Sequence, residues 1–274
     1  MRDIILGFHH MKHRFGIAML FAIGIVALST YNFQQHALAT DALVTNYTNV
    51  DFIFYLFRGV DVSFIHNPGT PFPFIWLMII IMSPFIIGDY ARFDIHNQSS
   101  IVFVRVQHRI SIWFSKLFVS ILVPLIFYIV ILIIICISSA IFYSFSFEWG
   151  EYSGMNVKPL LTDSVSGLSF AIQTMLLPLI ISVVLSIIQT LGSVFVNPVY
   201  MLLGIIASLI ASVFSTFIIL PGSYGMIDRY YLLDGSHGIS LSHVLVYSLL
   251  IISLVVIIGY FYFQRMDIMG LRGD

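Results

Sequence analysis

The sequence predicts an all-α polytopic membrane protein with six transmembrane helices and both termini cytoplasmic, and three observations carry that prediction. The 274 residues are 59% hydrophobic, with a mean hydropathy of +1.00. Only 9% are charged, where soluble domains carry about a quarter. The apolar residues lie in uncharged runs near or above the length of about 20 that one helical crossing of a bilayer requires.

Taken in chain order, the first span covers about residues 15–33, led in by Lys12 and Arg14, and the second about 70–88. The third covers 117–143, inside an uncharged stretch long enough to tilt. Between Asp163 and Asp228 no residue is formally charged. That is too long for one crossing and predicts two, at 167–190 and 198–220. Their break falls near Gly192 and Asn197-Pro198, because proline removes a helix donor and biases its predecessor out of the helix. The sixth span is 244–263, ending before Gln264-Arg265. All six form a single domain, 1–274.

Upstream, "MRDIILGFHHMKH" (1–13) puts Ile4, Ile5, Phe8 and Met11 on one helical face, as an interfacial helix requires. "HALAT" (36–40) resembles a small-residue cleavage site, but the apolar run ends well before Ala39, which predicts a retained first span.

Lysine and arginine placement sets the orientation. An even number of spans puts Arg2, Lys12, Arg14, Arg92, Arg105, Arg109, Lys116, Arg265 and Arg272 on one side, and Arg58, Lys158 and Arg229 on the other. Nine against three predicts that the termini and residues 89–116 are cytoplasmic. "DFIFYLFRG" (51–59) and "GMIDRYYLLDG" (225–235) are too aromatic for free linkers and are expected along the outer interface. Asn46-Tyr47-Thr48 has the form of a glycosylation acceptor, a triplet common by chance.

The inner connection "GDYARFDIHNQSSIVFVRVQHRISIWFSK" (88–116) gathers Arg92, Arg105, Arg109 and Lys116. Asn97, Ser99 and Ser100 are suited to cap a helix start. After them Val102, Phe103, Val106 and Ile110 share one face, and Arg105, His108 and Arg109 another. Ile101 and Val104 depart from the pattern. Trp113 and Lys116 are expected as interface anchors where the chain re-enters the membrane. A short capped helix with exposed arginines and an apolar knob at Phe103 suits docking into a groove of a cytosolic partner.

This order of span, acidic residue, polar turn, short helix and re-entry resembles the permease subunits of ABC-2 type ATP-binding-cassette exporters, of the kind that serves bacterial peptide-antibiotic or bacteriocin export and immunity. The residues that carry the resemblance are Asp94, Ser99, Ser100, the run 101–107 and "RISIWFSK" (109–116). The six-span layout agrees over the full length. The family more usually shows a glutamate and a Gly-Thr pair where this chain has Asp94 and Ser99-Ser100, which leaves the subfamily and its substrate open. The resemblance implies that residues about 95–108 are a cytoplasmic coupling helix between helices 2 and 3. Asp94, Ser99, Ser100, Val102, Phe103, Arg105, Val106 and Arg109 would then face an ATPase subunit, with 1–13 an elbow helix on the inner leaflet. It further implies two copies of an ABC ATP-binding subunit, a second permease copy (homodimer or heterodimer with a paralogue), contact with membrane lipids, and residence as a multi-pass protein in a bacterial plasma membrane. No G-x-x-x-x-G-K-[ST] loop occurs in the chain, so ATP and magnesium are expected in the partner ATPase, with no cofactor bound here.

Other chemistries find little purchase. A net charge of −1 offers no field for nucleic acid. Cys136, the one cysteine, excludes an intramolecular disulfide. H-E-x-x-H is absent, Ser169 has no histidine at comparable depth to act as base, and His9-His10-His13 reads as a polar segment rather than a metal site. No catalytic residue is expected. A proton- or sodium-coupled carrier needs ionisable groups inside the membrane, and the six span centres contain no Asp, Glu, Lys, Arg or His. Gln173, Gln189 and Asn197 are the candidates for lining a pathway, with helix packing as their alternative role. A passive membrane immunity or binding protein without an ATPase is the alternative function; such a protein has no use for a docking helix.

Overall fold

The computed structural model describes residues 2–40, 46–60, 72–97, 109–161, 165–215, 217, 219–231, 233 and 238–265. The α-helices among them are α1 (Arg2–Thr40), α2 (Asn49–Phe57), α3 (Phe74–Ile87), α4 (Tyr90–Asn97), α5 (Arg109–Phe142), α6 (Glu151–Asn156), α7 (Gly167–Phe195), α8 (Pro198–Val213) and α9 (Leu241–Arg265). Short 3-10 turns cover Lys158–Leu160, Pro221–Gly225 and Ile227–Arg229. The described residues contain no strand, only an isolated bridge between Tyr230 and Ile239.

Five helical windows are long and apolar enough to cross a membrane: Met11–Gln35, Phe74–Phe93, Ile110–Phe142, Gly167–Phe195 and Leu241–Arg265. By the length and composition of its helices the chain is a multi-pass membrane protein. Helix α7 is the hub, packing against α2, α3, α4, α5, α8 and α9. Its Ser182, Ser186, Thr190 and Ser193 are fully buried and recur at helical spacing. Tyr128 Oη lies 2.9 Å from Ser182 Oγ and Ser120 Oγ 2.5 Å from Thr190 Oγ1. Hydroxyls of this kind join helices where burial alone drives little association.

The boundary between α7 and α8 has a local cause. Asn197 Oδ1 accepts from the Val199 amide at 3.1 Å, and Pro198 occupies the first helical position. Capping asparagine followed by proline is a strong helix start.

Several sequence expectations are corrected. The fifth span, expected at 198–220, is the 16-residue α8, about 24 Å long against a hydrocarbon core of about 30 Å. It stops because its last carbonyls are taken by Arg229, which is 2% exposed. Nη1 donates to Ser212 O at 2.8 Å, Ser215 O at 3.0 Å and Ser223 Oγ at 3.1 Å. Nη2 donates to Val213 O at 2.9 Å and Nε to Val60 O at 3.2 Å. A helix leaves its final carbonyls without internal partners, and a cation suits the negative end of its dipole. Residues 225–231, expected along the outer interface, are instead largely inside the protein: Gly225, Met226, Ile227, Arg229 and Tyr230 are buried, and Trp76 Nε1 donates to Gly225 O at 2.9 Å.

The same correction applies to 51–59. Helix α2 buries eight of its nine residues instead of lying along an interface. Phe33 of α1 is ringed by Tyr47, Phe52, Tyr55 and Tyr152 at centroid distances of 5.1, 4.9, 5.0 and 5.5 Å. Phe57 stacks on Tyr128 of α5 at 5.6 Å, so α2 dips into the bundle. Irregular backbone is tolerated at membrane depth only when protein encloses it. Finally, 1–13 is not a separate elbow: α1 runs unbroken for 39 residues, having no internal proline to divide it.

Candidate functional site at the α4 end

Contacts divide the bundle into two ends. At one, Arg14 of α1, the α3–α4 turn, the start of α5, the end of α7, the start of α8 and the end of α9 come together. At the other lie α2, α6 and the 221–231 segment.

The α4 end is built on Gly88. Helix α3 stops there with φ of 49°, a value that L side chains rarely adopt. A Cβ at this position would overlap Arg14 Nη1 and crowd Phe85 O. The sharp turn sets Asp89 against α1, where Asp89 Oδ1 accepts from Arg14 Nη1 at 2.6 Å. The two side chains keep 30% and 34% of their surface exposed. Gln189 of α7 is buried and donates from Nε2 to both Gly88 O and Pro198 O, each at 3.1 Å. One side chain thereby ties the α3 break to the start of α8, while its Oε1 finds no partner among the described residues. Between these elements is a cavity of about 450 Å³, lined by the polar Arg14, Asp89 and Arg92 and by the apolar Phe85, Phe93 and Leu202.

The sequence candidates distribute unevenly around this joint. Gln189 and Asn197 meet there, Gln189 as the tie and Asn197 as the α8 cap on the cavity wall. Gln173 is elsewhere, two helical turns from the start of α7, with Nε2 3.4 Å from Ser169 Oγ. Trp113 and Lys116, expected as interface anchors, are both enclosed by protein. Trp113 stacks on Phe263 at 5.3 Å with Gly259 beneath it, and donates from Nε1 to Val256 O at 3.3 Å. Lys116 is 2% exposed and holds its Nζ 3.8 Å from the centre of the Tyr90 ring. A cation over an aromatic face is attracted by the ring quadrupole, which lets the ammonium leave the surface. Asp94 lies in α4, and Arg109 opens α5. Ser99, Ser100, Val102, Phe103, Arg105 and Val106 lie outside the described residues, as does most of the expected coupling helix.

The sequence reasoning missed the Arg14–Asp89 pair and the role of Gly88. The signal available was small: a glycine directly before an acidic residue at the end of an apolar run. Among the described residues the arrangement pairs no nucleophile with a base. Chemically it can hold charge and act as a joint between five helices, α1, α3, α4, α7 and α8.

Residues 23–269 match the family described as a protein of unknown function, DUF2705, and the chain belongs to that family. No curated protein and no solved structure matches it.

Proposed function

We propose that this DUF2705 member is the membrane-spanning permease subunit of an ATP-driven, ABC-2 type exporter that moves an amphipathic substrate, a peptide antibiotic or lipid-like molecule, across or out of the membrane. The supporting observation is where charge lies. The expected span centres hold no ionisable side chain, so no group is available there to take up and release a driving ion. Polar groups gather at the helix ends, and one such gathering is a joint: the Gly88 break, the Arg14–Asp89 pair and the Gln189 tie. Helix α4 follows that joint in the chain, and its last residues open the stretch of about 95–108 read as the coupling helix.

In this reading the α4 end is cytoplasmic, and two ATP-binding subunits grip residues about 95–108. Their closure pushes α4, and the Gly88 turn passes the displacement to α1, α7 and α8. Two permease copies then rock between inward and outward access. No residue of this chain makes or breaks a covalent bond.

Purification from mild detergent tests the proposal, with mass spectrometry of whatever accompanies the protein. A stoichiometric ATP-binding chain is the expected result. Recovery without any ATPase, from cells that express the neighbouring genes, overturns it in favour of a passive immunity or binding protein. Phe103→Ala and Arg105→Ala are expected to uncouple ATP hydrolysis from transport while leaving membrane insertion intact.

A further inference from the structure

We propose that the cavity at the α4 end is a binding site for a phosphate-bearing anion, filled in the membrane by the headgroup of an anionic phospholipid. This assignment does not depend on the exporter reading and requires only that the helices span a bilayer.

The first argument is depth. Arg14 is near the start of the window Met11–Gln35, Arg92 is next to last in Phe74–Phe93, and Pro198 is the first residue of α8. All three stand where apolar helix meets polar surroundings, the level at which headgroups lie. Charge is the second. Asp89 is already engaged by Arg14 at 2.6 Å, whereas Arg92, part-buried in the same lining, has no carboxylate partner among the described residues. Among the described residues, the cavity lining carries one cation in excess. The start of α8, its Val199 amide already capped by Asn197 Oδ1, adds the positive end of a helix dipole.

Shape supplies the third argument. About 450 Å³ falls in the range of about 300–1,000 Å³ common for small-molecule sites. Phe85, Phe93 and Leu202 line the cavity together with the arginines, a mixed lining that suits a ligand with both an anionic and a greasy part. Basic pockets between spanning helices are suited to this headgroup chemistry, and arginine's planar fork fits phosphate oxygens.

The test uses the full chain in a non-ionic detergent. It is titrated separately with short-chain phosphatidylglycerol, phosphatidylcholine of equal chain length, and inorganic phosphate, read by thermal shift and by lipid retention in native mass spectrometry. Saturable binding of phosphatidylglycerol is expected, at least about fivefold tighter than phosphatidylcholine. Arg92→Gln should weaken it about fivefold, the size of one basic contact to an anionic lipid. Val199→Glu places a carboxylate at the rim and should weaken it likewise; it decides the matter if the Arg92 variant does not fold. Lys158→Gln removes an equal charge from the exposed 3-10 turn Lys158–Leu160 beside α6 and should change nothing. Equal binding of the two lipids, or phosphatidylglycerol binding untouched by both cavity variants, overturns the proposal. Inorganic phosphate binding as well as the lipid, with the same sensitivity to Arg92→Gln, keeps the phosphate chemistry but overturns the lipid source.

Discussion

At the α2 end of the bundle, Arg229 and Asp51 are held inside protein. Arg229 donates from all three guanidinium nitrogens to four backbone carbonyls and a serine hydroxyl. Asp51 has no exposed surface and accepts from the Thr48 amide at 3.0 Å and the Ser153 amide at 2.7 Å, which staples α2 to α6. At the α4 end, Arg14 and Asp89 face each other with about a third of each side chain still exposed, beside a cavity and a turn that only glycine makes easily. The contrast teaches where movement is cheap. Disturbing the α2 end strands buried polar groups, each costing about 1–3 kcal/mol. At the α4 end Lys116 and Gln189 are buried as well, but disturbing the Arg14–Asp89 pair returns to water, at little cost, charges that are already about a third exposed.

Four experiments can break or sharpen that comparison. The largest effect is expected from Arg229→Ala, which strands the last carbonyls of α8 in a buried setting. Unfolding in detergent, followed by heat or by titrated SDS, should show a loss of about 3–5 kcal/mol. Arg229→Lys should recover only part of it, since an ammonium cannot fork across several carbonyls. A loss under about 1 kcal/mol would put this end on the same footing as the other.

Gly88→Ala comes next. The positive φ and the overlap with Arg14 Nη1 should cost about 1–3 kcal/mol in the same unfolding assay. Protease or cysteine-labelling access near α4 should rise while α2 stays protected.

The third effect is read as a slope against pH. Burial pushes the Asp51 carboxyl above its ordinary value of 3.8, over the opposing pull of its Ser153 and Thr48 donors. A folded-state pKa above the unfolded one gives a stabilising contribution that is complete below 3.8 and lost as pH climbs through the folded value. Stability of the natural chain should therefore decline from that pH toward neutrality, and Asp51→Asn should flatten the decline. A rising trend would mean that the backbone donors outweigh burial.

The smallest effect belongs to the Arg14–Asp89 pair. A double-mutant cycle with Arg14→Ala and Asp89→Asn should give a coupling below about 1 kcal/mol, despite the short 2.6 Å contact. A coupling of several kcal/mol would make the α4 end as rigid as the other.

How much of this was legible in the sequence follows the same division. Apolar length and proline chemistry mark α3, α7 and α9, and the Asn197-Pro198 pair marks the start of α8, because those signals are local. Helix α5 begins at Arg109, eight residues before the expected 117, since "RISIWFSK" continues the helix while carrying charge that hydropathy reads as loop. The burial of α2 is invisible locally: "NVDFIFYLF" has the same composition whether it floats at an interface or packs against Phe33 and Tyr128. Arg229 misleads for the same reason, because hydropathy assigns a cation to water unless the carbonyls that accept it are known. Of the joint, Gln189 and Asn197 stand out as polar exceptions in apolar surroundings, whereas Arg14–Asp89 spans 75 residues and has no sequence pattern to announce it.

The brevity of α8 reaches beyond the protein itself. Alongside five long windows stands a helix of 16 residues, packed on α3 and α7, with Val199, Tyr200, Leu203 and Ile210 turned outward on its surface. The greasy belt offered to the bilayer is thus uneven around its circumference, and the lipid beside α8 must pinch or tilt to match it, at a fraction of a kcal/mol per ångström. Acyl-chain length should therefore tune this molecule from one flank, with thinner bilayers favouring the shape described here.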